Sequence, residues 1–180
     1  MRIMNKETVG LIVDLQIRLL PHMVRSETLI GKCITLIKGL KLLEVPIIYT
    51  EQYPKGLGCT DERIQKLLTP MQAIEKIAFS CCGEPAMIDL LQTFKRKTVL
   101  VAGIETHVCI LQTVLDLIDA GYAPVIVEDC VGSRSENDKN IALNRIRGSG
   151  GCITTVESLL FEVMGTAKHP QFKEVTKLVK

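Results

Sequence analysis

Three side chains that can do acid–base and nucleophilic chemistry each interrupt or follow an apolar run of the chain. Asp14 comes directly after the run Thr8–Val13, Lys76 lies inside a short strand-like segment, and Cys109 follows the run at residues 98–102. A buried carboxylate or ammonium is costly unless it is paired, so gathering the three groups at one place would satisfy all of them. Lys76 would keep Asp14 ionised, and Asp14 would take the thiol proton and later return it to a leaving group.

Each of the three residues also has an ordinary structural interpretation. An Asp after a strand often caps a turn, a Lys near a strand end usually extends to water, and a Cys on a helix usually belongs to the core. Cys109 differs because apolar residues at helical spacing follow it, and Thr106 just before it is a good N-cap. The positive end of a helix dipole favours a thiolate, which is the nucleophilic form.

The segments around these residues alternate between strand-like and helix-like patterns. Such alternation predicts βαβ units and a parallel sheet, whose strand ends would meet at one edge and bind ligands there. We expect six strands, at residues 8–13, 46–50, 73–77, 98–102, 124–127 and 152–155. We expect helices at 29–43, 62–68, 84–94, 108–120, 138–147 and 156–161, a loop at 51–60, and a loose helix or tail from 168. The strand order does not follow from the sequence.

Length and composition narrow the class of protein. The 180 residues, 47% of them hydrophobic, predict a single α/β domain spanning 1–180 with a full core. A net charge of +2 argues against nucleic-acid or membrane partners, and no apolar run reaches the roughly 18 residues of a membrane span. Seven cysteines without disulfide or metal spacing indicate a reducing, cytoplasmic environment, with Cys33, Cys130 and Cys152 as core thiols.

Four stretches together resemble the isochorismatase-like cysteine hydrolases, which include nicotinamidases and N-carbamoylsarcosine amidohydrolases. They are VDLQ from Val13, EKIAFS from Glu75, AGIETHVCILQTVLDLIDAG from Ala102, and EDCVGSRSENDKNIALNRIRGSG from Glu128. The resemblance runs from about residue 8 to 161. The segment TEQYPKGLG, from Thr50, is similar to the isochorismatase-domain-containing subgroup, whose substrates are mostly unassigned.

The resemblance implies an α/β/α sandwich around a six-stranded parallel sheet, with Asp14, Lys76 and Cys109 as the catalytic triad. It also implies a cis peptide between Ile104 and Glu105, with the backbone N–H groups of Glu105 and Cys109 forming an oxyanion hole. Members of the family are commonly dimers or larger assemblies, so the resemblance implies a homo-oligomer.

Two departures from relatives in this family bear on the activity. Nicotinamidases carry Asp and His metal ligands after the second strand, whereas residues 49–60 hold neither, and Glu51 and Cys59 alone are too few for a site. We therefore expect no metal and no cofactor. Isochorismatases cleave a vinyl ether by acid chemistry and commonly lack the nucleophilic thiol, so the presence of Cys109 favours acyl transfer through a thioester.

Residues next to the triad in sequence are predicted to line a substrate pocket. We place Gln16, Tyr53, Phe79 and His107 there, although Phe79 has an alternative as core and His107 as an exposed first-turn residue. Arg134 would bind a substrate carboxylate or remain solvated. The vicinal pair Cys81 and Cys82 forms either a wall of the pocket or part of the core.

The function predicted from these residues is cleavage of a small-molecule amide or related C–N bond by a cysteine hydrolase. Three alternatives remain open at this point. One is an interaction or scaffolding protein that kept the fold and lost efficient turnover, and another is a vinyl ether hydrolase of the isochorismatase type. The third is a thiol-redox protein that pairs Cys109 with Cys81 or Cys82.

Overall fold

The structure, a computed structural model, describes residues 2–180 and places six strands in one sheet. Parallel pairing joins every neighbouring pair of strands. The strands are β1 (Thr8–Val13), β2 (Ile47–Gln52), β3 (Ile74–Lys76), β4 (Thr98–Ile104), β5 (Ala123–Gly132) and β6 (Cys152–Thr154). The helices are α1 (Ser26–Leu42), α2 (Pro54–Leu57), α3 (Glu62–Leu68), α4 (Pro85–Thr93), α5 (Leu111–Asp119), α6 (Glu136–Gly148), α7 (Val156–Met164) and α8 (Phe172–Val179).

Helices cover both faces of the sheet, as the predicted three-layer α/β/α class requires. Helices α1, α3, α7 and α8 contribute buried residues to one apolar cluster, and α4, α5 and α6 to the other. Strands β1, β2 and β4 are buried along their whole length, which explains the unbroken apolar or β-branched sequences of β1 and β4. Strand β2 departs from that pattern at its carboxyl end, in Glu51 and Gln52. No helix within residues 2–180 has both the length and the apolar character needed to cross a bilayer.

The strand order, β3-β2-β1-β4-β5-β6, reverses direction between β1 and β4. The chain runs outward from β1 to β3 and then returns to build the other half from β4. A crevice opens at the carboxyl ends of the strands on either side of such a reversal, where ligands of open α/β sheets bind. Asp14 leaves β1 at this point, and Cys109 follows β4.

Gly103 permits the close approach of the two central strands there. It pairs with Val13 across the sheet and has a φ of +121°, which residues with a side chain rarely adopt. A Cβ at this position would lie 2.0 Å from the Val13 carbonyl oxygen. Only glycine fits between β4 and β1 at the reversal.

The segment 51–60 differs from the predicted loop. Strand β2 continues through Gln52, and α2 forms one helical turn that begins at Pro54, whose ring fixes the φ that a first helical turn needs. Gly58, at a φ of +78°, follows the end of the turn. Strands β4 and β5 also extend past their predicted ends, and the predicted loose tail contains the regular helix α8, anchored by the buried Val175.

Candidate functional site

The structure brings Asp14, Lys76 and Cys109 together at the carboxyl edge of the sheet. Asp14 follows β1, Lys76 is the last residue of β3, and Cys109 lies in a wide helical turn, Thr106–Ile110, between β4 and α5. The side chains of Asp14 and Lys76 are fully buried, and Cys109 retains 7% exposure. The sulfur is therefore the member of the three that a small molecule reaches first.

Lys76 is the hub of the site. Its Nζ lies 2.7 Å from Asp14 Oδ2 and 3.7 Å from Cys109 Sγ. The same nitrogen donates to Gln52 Oε1 at 2.7 Å and to the carbonyl oxygens of Phe79 at 3.0 Å and Ala78 at 3.3 Å. These acceptors share the three ammonium hydrogens with Cys109 Sγ, to which the ammonium also donates, and with the Asp14 carboxylate beside it.

Asp14 uses its two carboxylate oxygens differently. Oδ1 accepts a hydrogen bond from Thr50 Oγ1 at 2.7 Å. Oδ2 touches the Lys76 ammonium, but the approach lies outside hydrogen-bond geometry, and no group within residues 2–180 hydrogen-bonds to it. A buried carboxylate oxygen is thus held against a positive charge, and no other donor within residues 2–180 engages it, which suits a proton acceptor.

The resting state of Cys109 differs from the thiolate expected at a helix start. Burial, together with the negative charge of Asp14, raises the pKa of the Cys109 thiol to about 12, although the charge of Lys76 acts in the opposite direction. Thr106 is also not the predicted cap, because its hydroxyl donates to the Gly132 carbonyl 3.0 Å away. Cys109 is therefore a neutral thiol that needs a base, and the nearby carboxylate can act as one.

The ammonium of Lys76 stays charged despite its burial. Burial, the largest single influence, lowers the pKa of the Lys76 ammonium, but the combined effects of Asp14, Cys81 and Cys109 raise that pKa above its ordinary value. Lys76 therefore supplies a permanent positive charge next to the carboxylate and the sulfur.

Glu105 precedes the turn that holds Cys109, and the peptide bond between Ile104 and Glu105 is cis. The Glu105 carbonyl accepts hydrogen bonds from the N–H groups of Val108 and Ile110, at 3.1 and 3.2 Å. Its carboxylate forms an ion pair with Arg134 at 2.8 Å. Arg134, which the sequence left either as a carboxylate ligand or as solvated, is thus engaged with Glu105 and reaches solvent at the rim.

Gln16 lies behind the site, where its side chain has no open face. Its amide nitrogen donates to the Gln52 and Gly58 carbonyl oxygens, and its amide oxygen accepts from the Gln52 N–H at 2.8 Å. The residue is completely buried. This is the arrangement of a residue that holds β2 and the following turn in place rather than of one open to a ligand.

The other three predicted pocket residues lie toward solvent. Tyr53 is half exposed and lines a cavity of about 220 Å³ together with Lys76 and Ile77. Phe79 is 55% exposed, so its alternative assignment to the core is wrong. His107 is half-buried, with Nδ1 3.0 Å from Ser133 Oγ. These side chains stand at or near the entrance, and their contact with substrate remains a prediction.

Two polar residues of β2 that the sequence analysis did not single out, Thr50 and Gln52, contact the triad directly. They point to the same face because side chains two apart along a strand share a face. A polar residue inside a fully buried strand needs a hydrogen-bond partner, and this signal was readable from the sequence.

The two vicinal cysteines occupy different environments. Cys81 is fully buried, and its sulfur lies 3.8 Å from Thr50 Oγ1. Cys82 is partly buried and contacts the Thr113 carbonyl. Of the two, Cys81 touches the residues of the site.

The residues weighed as metal ligands are committed elsewhere or exposed. Glu51 Oε1 accepts from the Thr60 N–H and hydroxyl, both at 2.7 Å, which ties the loop after α2 to the sheet. Cys59 is exposed. Across residues 2–180, no three His, Cys, Asp or Glu side chains converge as metal ligands would.

Comparison with known proteins identifies the class to which this fold and site are similar. Residues 8–158 match the isochorismatase domain family model. Isochorismatase family protein 1A of Dictyostelium discoideum is 41% identical over 171 residues, which cover 93% of this chain and 83% of that protein. A secreted isochorismatase effector, Isc1, of Phytophthora sojae is 42% identical over 150 residues, covering 81% and 71%.

Solved structures share the architecture. A structure described as the MAR1 ribonuclease of Caenorhabditis elegans superposes with a TM-score of 0.94 at 36% identity, covering 99% of this chain and 92% of that one. The YcaC gene product of Escherichia coli, described as an octameric hydrolase of unknown specificity, has a TM-score of 0.89 at 18% identity, covering 98% and 95%. The latter likeness concerns the fold alone.

Proposed function

The chain belongs to the isochorismatase domain family, and we propose that within this family of hydrolases it is a cysteine hydrolase that cleaves a small amide or related C–N bond. The observation that supports this reaction is the buried cluster in which Lys76 Nζ lies 2.7 Å from Asp14 Oδ2 and 3.7 Å from Cys109 Sγ, with no other donor in residues 2–180 on Oδ2. In this proposal Cys109 is the nucleophile, Asp14 the general acid and base, and Lys76 the electrostatic partner.

The proposed reaction balances its protons through Asp14. Oδ2 takes the thiol proton as Sγ attacks the substrate carbonyl carbon, and the backbone N–H groups of Glu105 and Cys109 stabilise the resulting oxyanion. The C–N bond breaks, the departing nitrogen receives the proton from Asp14, and a thioester remains on Cys109. Asp14 then takes a proton from water, which attacks the thioester, and the acid product leaves as the thiol is restored.

Ammonia release from a panel of small amides, ureas and nitriles tests this proposal. We expect turnover of at least one compound by the parent protein and loss of it in Cys109→Ala and Asp14→Asn, with a thioester-sized mass increase confined to Cys109. Cys59→Ala is the matched control, because that thiol is exposed and lies outside the triad. Turnover that survives in Cys109→Ala would contradict the assignment.

We also propose that the protein is a homo-oligomer. Ile77, at 72% exposure, and Phe79 place apolar side chains on the surface next to the site, and such surface is commonly covered in assemblies. The octamer described for the YcaC product supports the same inference at the level of the fold. A monomer alone in sedimentation velocity at micromolar concentration would contradict it.

A cytoplasmic location is likewise a proposal, supported by the seven unpaired cysteines. Fractionation of cells expressing the untagged chain tests it. Recovery of the protein in the culture medium would contradict it. The relative from Phytophthora sojae is described as a secreted effector.

A further inference from the structure

We propose that Thr50 is a positioning residue that determines which oxygen of Asp14 acts as the base, an inference that rests on the proposed function. Thr50 lies on β2, directly beside the end of β1, where it pairs with Val13 in the sheet. Its carbonyl accepts from the Asp14 N–H at 3.2 Å, and its hydroxyl donates to Asp14 Oδ1 at 2.7 Å. Both the backbone and the side chain of Asp14 are therefore held by the same residue.

The hydroxyl has a single hydrogen, and the carboxylate takes it. The contact between Thr50 Oγ1 and Cys81 Sγ, at 3.8 Å, then has the Cys81 thiol as its donor. All three groups are buried, with Thr50 at 1% exposure and Cys81 and Asp14 at zero. A chain of donors thus runs from the Cys81 thiol through the Thr50 hydroxyl to Asp14 Oδ1, and each bond in such a chain polarises the next.

This series of hydrogen bonds distinguishes the two carboxylate oxygens of Asp14. With Oδ1 engaged by Thr50, the carboxylate plane is fixed, and Oδ2 is the oxygen left beside Lys76 Nζ, which itself lies 3.7 Å from Cys109 Sγ. Without the hydroxyl, the carboxylate would be free to turn, and the oxygen beside Lys76 would no longer be fixed.

Thr50→Val tests the proposal because it keeps the shape of the side chain and removes the hydroxyl, and Thr50→Ser is the matched control that keeps the hydroxyl. The first measurement is kcat on a compound that the parent turns over. The second, which needs no substrate, is the rate of Cys109 modification by acrylamide, followed by peptide mass spectrometry. Asp14→Asn is the reference for complete loss of the base.

For Thr50→Val we expect both rates to fall on the order of tenfold, because the carboxylate is no longer held in place by the hydroxyl. Thr50→Ser should keep the parent rates. Thr50→Val rates equal to those of the parent, or a Thr50→Ser variant as slow as Thr50→Val, would overturn the proposal, since a purely structural role predicts that loss of the methyl group matters as much as loss of the hydroxyl.

Two further results separate this proposal from the proposed function. If Asp14→Asn retains the parent rates, the triad itself is wrong; if Asp14→Asn is inactive while Thr50→Val is normal, only the role of Thr50 is wrong. Should Thr50→Val fail to fold, Cys81→Ala replaces it, because it removes the outer donor of the chain. We then expect a smaller fall in both rates, and rates equal to those of the parent would overturn the proposal.

Discussion

Lys76 Nζ lies 2.7 Å from Asp14 Oδ2, and it also donates to Gln52, to two backbone carbonyls and toward Cys109 Sγ 3.7 Å away. One buried positive charge thus joins the carboxylate to the sulfur. A carboxylate beside that charge, with no other donor in residues 2–180 on its Oδ2, is suited to take the proton of a neutral thiol.

Removing the lysine charge should destabilise the protein. In Lys76→Met, Asp14 would remain buried as an uncompensated charge, a loss of typically about 3–5 kcal/mol for a fully buried pair. Urea unfolding at pH 7 measures it. The double variant Asp14→Asn with Lys76→Met should recover most of that stability while remaining inactive. A single variant as stable as the parent would contradict the buried-pair interpretation.

The rate of alkylation should depend on Asp14 for Cys109 but not for the exposed thiol of Cys59. With limiting iodoacetamide at pH 7, we expect Cys59 to react before Cys109, because Cys109 is buried and its raised pKa keeps it protonated. Asp14→Asn removes the base that takes the thiol proton during attack, and this loss should slow modification of Cys109 even though the Cys109 pKa falls without the Asp14 charge. Cys59 should be unchanged, which makes it an internal control read in the same peptide digest. Equal slowing of both thiols would indicate a general change of fold instead.

The buried thiols should make the protein sensitive to alkaline pH. Burial raises the pKa of Cys81 to about 11 and that of Cys82 to about 12, as it does for Cys109. Since these groups bind protons more tightly in the folded state, their stabilisation is complete below the unfolded-state pKa of roughly 8.5 and is lost as pH rises toward 11–12. Urea midpoints at pH 8, 9 and 10 should therefore fall.

The matched variant for this effect is Cys82→Ala, whose thiol is only partly buried and lies outside the triad. Its unfolding free energy should decline less steeply than that of the parent over the same pH range. A parallel decline in the two proteins would show that other groups cause the loss.

Protein purified without an affinity tag should contain no stoichiometric zinc or iron. Gln52 contributes its amide to Lys76, and Glu51 is committed to Thr60. Elemental analysis measures the content directly. One equivalent of metal that survives dialysis against a chelator would refute this expectation and reopen nicotinamidase-type chemistry.

The sequence predicted the order of elements because strand-like and helix-like patterns alternate cleanly, and Asp14 and Lys76 each stand out as a charge at the end of an apolar run. The strand order could not be predicted, since a crossover can place the next strand on either side of the last. Thr50 and Gln52 were missed because their partners, Asp14 and Lys76, lie 36 and 24 residues away in the chain. The protonation of Cys109 was misjudged because a helix start can be read from local pattern, whereas burial depends on the whole packed fold.

Gly103 has a consequence for any redesign of this protein. The Val13 carbonyl occupies the space that any side chain there would need. In a saturation library, position 103 should tolerate no replacement, whereas position 53, half exposed at the entrance, should accept many. Directed evolution of specificity therefore has its freedom at the entrance, while the junction of the two central strands offers none.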